Sequence, residues 1–332
     1  MFLYIYYNQT HIPRNTLSYL LSGNLEKNKV LKKSYYNIIN ICKNWKSIHY
    51  KTLDYYLILY KSKLKNLDDL LKFLYPDLKV IFYYPHNIWD VNFTEKLSKS
   101  NYRKIIYIDD IHCNNPKKVK FSLCNSFDKI FCSYAYKVPI LRKDIDISKV
   151  IAFPHYMCNH LTFDSINNIK TGILLSGYDT KEKWRQLGYT VRHELYCKYK
   201  TQLKCLDVTQ NIRGSDFYSV INCSLAAIST PGNIGYIVAK YFEIPSSNTL
   251  LLAYDENIKK DLEDLGFIDN QNYISFNMNN IQDKIDFINN PNNIDRIREI
   301  TENGYNLIKS KHLLTNRVIF LDNICKDLII NT

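Results

Sequence analysis

Short runs rich in Val, Ile, Tyr and Phe recur along this chain, separated for the most part by stretches with room for one helix. They lie at residues 80–84, 104–108, 129–133, 150–153, 172–176, 224–230, 249–254 and 273–276, and the apolar opening 1–7 reads as a further buried strand. Helical patterning falls at 67–74, 192–201, 234–242, 257–265 and 281–288, with two closing helices near 294–309 and 314–329. Apolar strands alternating with helices predict parallel sheets covered on both faces, so the expected class is α/β. The pattern breaks at 164–170, just before the strand at 172–176. In a chain of 332 residues that break predicts two Rossmann-like domains, 1–165 and 166–310, with 311–332 a C-terminal helix packing back toward the first. Open sheets of this kind take ligands beyond the carboxyl ends of their strands, so the expected groove lies between the two halves.

Composition narrows the partners. Lys+Arg 44 against Asp+Glu 32 gives a net charge of +12, which favours phosphorylated ligands. Much of that excess accompanies Asn, Ile and 28 Tyr, all residues with AT-rich codons, which points to a low-GC microbial or viral genome and weakens the argument from charge. The nine cysteines include no C-x-x-C pair and no tight Cys/His grouping, so no structural metal site is expected. Thiols set within apolar runs indicate a reducing compartment, the cytoplasm. The apolar start lacks a basic flank and reaches Asn8-Gln9-Thr10 too soon for a signal peptide or a transmembrane segment.

Several strand ends carry candidate chemistry. The run 172–176 leads into Gly177, which permits a tight turn and close approach of backbone to a phosphate, although a plain strand-end turn uses the same residue. Arg192 opens the next helix, where free amides already attract anions. Farther on, strand 224–230, the turn Pro231-Gly232-Asn233, a helix over 235–242 and another strand enclose Lys240 and Glu243. Glu243 follows an apolar helical face and precedes Ile244-Pro245, so its carboxylate is expected at the strand ends, able to accept both hydroxyls of a ribose. Lys240 lies one turn earlier, placed to pair with Glu243 or to reach a phosphate. In the first half, one strand runs into Asp109-Asp110-Ile111-His112 and another into Pro85-His86, with Trp89 and Asp90 close behind. Asp109, Asp110, His112 or His86 there could orient an acceptor hydroxyl or take its proton, or simply cap the next helix. Asp144-Ile145-Asp146 has the letters of a metal-binding D-x-D but sits in a charged loop and reads as a solvated turn.

Lys240-Tyr-Phe-Glu-Ile-Pro-Ser-Ser-Asn-Thr-Leu-Leu-Leu252 resembles the K-Y-F-E-I-P-x-S-G-x-L-L-L segment of glycosyltransferases related to spore maturation protein CgeB, within the GT-B group. Leu174-Leu-Ser-Gly177 with Tyr189-Thr-Val-Arg192, Gly214-Ser-Asp-Phe-Tyr218 and His312-Leu-Leu-Thr-Asn-Arg317 resemble further segments of that family, and the likeness covers about residues 150–325. Thr190 stands where the family has Pro, Asn248 where it has a loop Gly, and Gly235 where retaining relatives carry a first glutamate. Asn248 tolerates the left-handed conformation the loop requires.

The resemblance implies a GT-B fold in which 1–165 binds the acceptor and 166–310 a nucleotide-diphosphate sugar, UDP- or GDP-linked. It places Glu243 on the ribose and Gly177, Arg192, Lys240, Ser246 and Ser247 on the diphosphate side. It further implies transfer to a glycan, protein or small-molecule acceptor with retention and without a metal or a tightly bound cofactor. An inverting route with Asp109, Asp110 or His112 as base stays open. Three other readings use the same residues: a nucleotide-sugar epimerase, a basic nucleic-acid-binding protein, for which the scattered lysines argue poorly, and a non-catalytic scaffold.

Overall fold

The computed structural model describes residues 1–6, 45–49, 51, 53, 55–56, 64, 66–85, 91–109, 111, 120–158, 170–177, 190–206, 212, 215–232 and 234–330. These form two compact units, Met1–Pro154 with Leu314–Thr332, and His155–Leu313. Residues 164–169, most of the expected seam, lie outside the described residues.

The first unit is built on six parallel strands: β1 (Phe2–Tyr6), β2 (Trp45–His49), β3 (Val80–Tyr84), β4 (Arg103–Ile108), β5 (Lys129–Cys132) and β6 (Val150–Ala152). Their spatial order is β2-β1-β3-β4-β5-β6. Helices α1 (Leu67–Leu74) and α2 (Val91–Ser98) belong to the connections. The start of α1 is set locally: Asn66 Oδ1 accepts the Asp69 N–H at 2.9 Å, and Asp68 and Asp69 place negative charge on the first turn. An aromatic core runs through the sheet, with Phe82 against Tyr4 and Phe131 at 5.6 and 6.1 Å between ring centroids. Each such fully buried ring contributes roughly 1.5–3 kcal/mol relative to exposure.

The second unit holds five parallel strands, β7 (Ile173–Ser176), β8 (Lys204–Leu206), β9 (Ala226–Ser229), β10 (Leu250–Tyr254) and β11 (Ile274–Phe276), ordered β11-β10-β9-β7-β8. Among the described residues its helices are α3 (Thr190–Tyr199), α4 (Ser215–Asn222), α5 (Lys240–Ser246), α6 (Lys259–Asp264), α7 (Ile281–Asn289) and α8 (Ile294–Lys311). One face of the sheet packs Ile173, Leu175, Ile228 and Leu252 against Leu195 of α3, Ile285 of α7 and Ile297 of α8. The last helix, α9 (Leu314–Ile330), belongs to the first unit, where Phe320 lies 5.9 Å from Phe131 and Arg317 Nε donates to the Pro154 carbonyl at 3.1 Å.

The apolar runs became strands within a residue or two of the expected bounds. Sequence patterning missed β2 and β8. Both lie at sheet edges, and each carries a lysine (Lys46, Lys204) that blurs its apolar character while discouraging edge-to-edge pairing. The helix expected over 235–242 is also displaced, to Lys240–Ser246. Gly235 has φ +66 and closes a turn onto the Gly232 carbonyl at 2.7 Å, a conformation incompatible with a right-handed helix there. Glu243 accordingly falls in the first turn of α5, not after its end, and Pro245 lies inside the helix.

Candidate functional site

In each unit the chain leaves its first strand toward one edge and returns to the other side, so the strand order reverses between β1 and β3 and between β7 and β9. Open α/β sheets leave a ligand crevice at the carboxyl ends of strands flanking such a reversal. At the β7/β9 reversal, four residues taken from separate parts of the sequence come together.

β7 ends at Ser176, and Gly177 follows with φ +126. A Cβ at position 177 would lie 2.6 Å from Arg192 Nη1 and 3.1 Å from Lys240 Nζ, so two cationic groups press against bare backbone. Arg192, in the first turn of α3, is buried, and its Nη2 is 3.5 Å from Oγ1 of Thr230, the residue after β9. Lys240 Nζ, from the start of α5, donates to the Ser176 carbonyl. One turn beyond Arg192, the Tyr196 hydroxyl sits 3.2 Å from the Gly177 carbonyl and 3.3 Å from that of Leu206, tying the ends of β7 and β8. Burial, and then the Arg192 guanidinium, push the Lys240 ammonium down to about 7, with the Glu243 carboxylate opposing. Two like charges held together in this way favour a multiply charged anion between them.

Glu243 is half-buried, and its Oε1 accepts the Tyr218 hydroxyl at 3.3 Å. Burial and the adjoining carboxylate raise the Tyr218 phenol, which stays protonated and acts as donor. Ser246 and Ser247 are fully buried and donate their hydroxyls to the Glu243 carbonyl at 2.8 and 3.0 Å, closing the end of α5. Asn248 follows with φ 52, the left-handed turn expected of it.

In the first unit, Asp109 stands just past β4 and is buried. Its Oδ1 accepts Tyr134 at 2.9 Å and its Oδ2 accepts Tyr84 at 3.5 Å. His86, Trp89, Asp90, Asp110 and His112 lie outside the described residues, as do Tyr189 and Gly214. Asp146 is exposed and caps a short turn through the Ser148 N–H at 3.0 Å, as a solvated turn does. Among the described residues, no group of three His, Cys, Asp or Glu side chains is placed to hold a metal ion. His155 lies edge-on to Phe242 at 6.3 Å. His312 is buried against Phe242 and Phe267, with Nε2 2.8 Å from the Leu265 carbonyl, a packing role. No helix of the described residues is long and apolar enough to cross a membrane.

Thr230, Tyr196 and Tyr218 are the site neighbours that sequence reasoning missed. Tyr196 had a signal, since it lies four residues after Arg192 on the same helix face. Tyr218 closes the family-like segment 214–218, but its pairing with Glu243 had no signal, because it depends on how α4 packs beside α5.

Two doubly wound parallel sheets, of six and five strands, are the architecture of the GT-B glycosyltransferases. Solved structures similar to the chain include a glycosyltransferase from Rickettsia africae ESF-5, with a TM-score of 0.59 and 13% identity over 100% of this chain and 99% of that one. Anabaena Alr3699/HepE in complex with UDP has a TM-score of 0.57 and 9% identity, with 100% of both chains covered. Sucrose-phosphate synthase from Thermosynechococcus elongatus has a TM-score of 0.55 and 10% identity, covering 85% of this chain and 79% of that one. No protein family's sequence profile matches the chain, and no curated protein sequence does.

Proposed function

We propose that the chain is a glycosyltransferase that moves a sugar from a nucleotide diphosphate to a hydroxyl acceptor. One observation carries this reading: Arg192 and Lys240 converge on Gly177 at the β7/β9 reversal. The donor diphosphate would lie against these cations, with the Glu243 carboxylate taking ribose hydroxyls. In the reaction, the bond from the anomeric carbon to the β-phosphate oxygen breaks and its electron pair stays on that oxygen. The acceptor oxygen bonds to the anomeric carbon, and its proton leaves to a base or to the departing phosphate. Charge on the leaving group grows along this path, and prearranged cations that match it lower the barrier. Arg192 and Lys240 supply that charge from the chain itself, so we propose a metal-independent reaction.

The complex of HepE with UDP supports a nucleotide donor. The segment 240–252 supports kinship with the CgeB-related group and, through it, retention. Gly177, Arg192, Lys240 and Glu243 are the proposed donor residues. The buried hydroxyls of Ser246 and Ser247 are engaged by the Glu243 carbonyl, so their proposed contribution is to hold the end of α5. Asp109, held by two phenols, is proposed to organise the acceptor side, with proton removal falling to Asp110, His112 or His86. The acceptor is a glycan, a protein or a small molecule, and the proposed compartment is the cytoplasm.

The test is a thermal-shift and calorimetric screen of UDP- and GDP-sugars against wild type and Glu243→Ala. Saturable stabilisation by one donor class, weakened by the substitution and insensitive to EDTA, is expected. No response to any nucleotide would sink the reading. Conversion of a nucleotide sugar to its epimer without an acceptor would replace it with epimerisation.

A further inference from the structure

Tyr218 adjoins this site without belonging to any of the cationic contacts. The residue is 3% exposed and its hydroxyl lies 3.3 Å from Glu243 Oε1. The helices that carry the two residues are joined near their far ends. Asn222 Nδ2, at the end of α4, donates to the Ser247 carbonyl at 2.6 Å, and Thr249 Oγ1 donates to the Ile221 carbonyl at 2.8 Å. The two bonds that join the helices are buried, so α4 and α5 hold a fixed spacing and the phenol meets the carboxylate from a fixed direction. A glutamate has three rotatable bonds, and an unanchored carboxylate would reach either ribose hydroxyl in several poses at an entropic cost on binding.

We infer that Tyr218 is a positioning residue that gives the donor site its preference for a ribose bearing both hydroxyls, by pinning one oxygen of Glu243. This rests on the donor-site reading proposed above. A hydrogen bond from tyrosine to carboxylate leaves the negative charge on Glu243, which therefore remains an acceptor for ligand hydroxyls. Removing the hydroxyl leaves the charge in place and withdraws one of the contacts that set its direction. The loss should therefore appear in discrimination between ribose and deoxyribose, not in the hold on phosphate.

The experiment measures dissociation constants of UDP, GDP, their 2′-deoxy forms and pyrophosphate for wild type, Tyr218→Phe and Tyr218→His, with unliganded melting temperature and circular dichroism as controls of folding. For wild type, the ribose form of the nucleotide that binds is expected to be favoured by about tenfold or more over the deoxy form, as the net worth of one hydrogen bond to a charged carboxylate predicts. In Tyr218→Phe that ratio should fall to roughly two- to threefold, as one hydrogen bond's net worth predicts, with pyrophosphate affinity unchanged. Tyr218→His retains a donor and should recover part of the ratio. It also carries the test, through a reduced but measurable ratio, if the Phe variant does not fold. A full wild-type ratio in a folded Phe variant would overturn the role of Tyr218 while leaving the donor site intact. Failure of wild type to bind either nucleotide would overturn the donor site itself, and the inference with it.

Discussion

The strand ends of the two units share a topology and differ in chemistry. Around β7 and β9 the residues gathered are Gly177, Arg192 and Lys240, a cationic cluster against bare backbone. Past β4, beside the end of β3, the residues gathered are Asp109, Tyr84 and Tyr134, one acid satisfied by two phenols. A sheet that reverses its order determines where side chains converge, and the side chains determine what they can hold. The acid in the first unit has its hydrogen-bond donors within the fold. The two cations in the second repel each other, with the Glu243 carboxylate partly opposing that repulsion. If the donor site is where we propose it, the cationic cluster gives up stability for binding, whereas the Asp109 cluster has its hydrogen bonds closed within the fold.

The largest effect expected to test this contrast is that of Arg192→Ala. Removing one member of a buried charged site costs about 2–5 kcal/mol of binding, so stabilisation by pyrophosphate or UDP should nearly vanish. Unliganded stability should change little, because relief of the repulsion on Lys240 offsets the lost contact with Thr230. A large fall in unliganded melting temperature would make the cationic cluster structural and remove the distinction.

Asp109→Ala should behave in the opposite way. It removes the acceptor that two buried phenols share, at about 1 kcal/mol for each hydrogen bond lost, and should leave pyrophosphate affinity unchanged. Chemical denaturation combined with calorimetry separates the two outcomes.

The pH dependence of the second unit sharpens the contrast further. Lys240 titrates at about 7 in the fold against an ordinary 10.5. Below 7 it is charged in both folded and unfolded chains and bears the full repulsion. Between 7 and 10.5 the folded chain has released a proton that the unfolded chain retains, so stability rises with pH across that window, by at most about 1.4 kcal/mol per unit. A diphosphate bound at the proposed site would draw the proton back. Pyrophosphate should therefore bind with uptake of up to about one proton near pH 8 and more weakly as pH rises. Calorimetry in two buffers of different ionisation enthalpy measures this, and an absence of proton uptake would contradict it.

Smallest is Gly177→Ala. A side chain at φ +126 is strained by about 1–3 kcal/mol and must displace the tip of Arg192, which is flexible enough to move. Melting temperature should fall modestly and UDP affinity with it.

By itself the sequence determined the α/β class and most strands, because a short run of consecutive apolar residues such as 80–84 or 250–253 is satisfied only by burial on both faces of a sheet. It also marked Gly177, Arg192, Lys240 and Glu243 singly, through strand ends and helix starts. Local pattern did not reveal β2 and β8, which lie at sheet edges where apolar continuity is relaxed, or the true start of α5, which the left-handed Gly235 delays. Only the tertiary structure decided that Lys240 reaches back to Ser176, that Arg192 meets Thr230 and that Tyr218 meets Glu243. Those meetings join residues 25 to 64 positions apart, brought together by the order β9-β7-β8 and by the packing of α4 beside α5, neither of which is written in any local window of sequence.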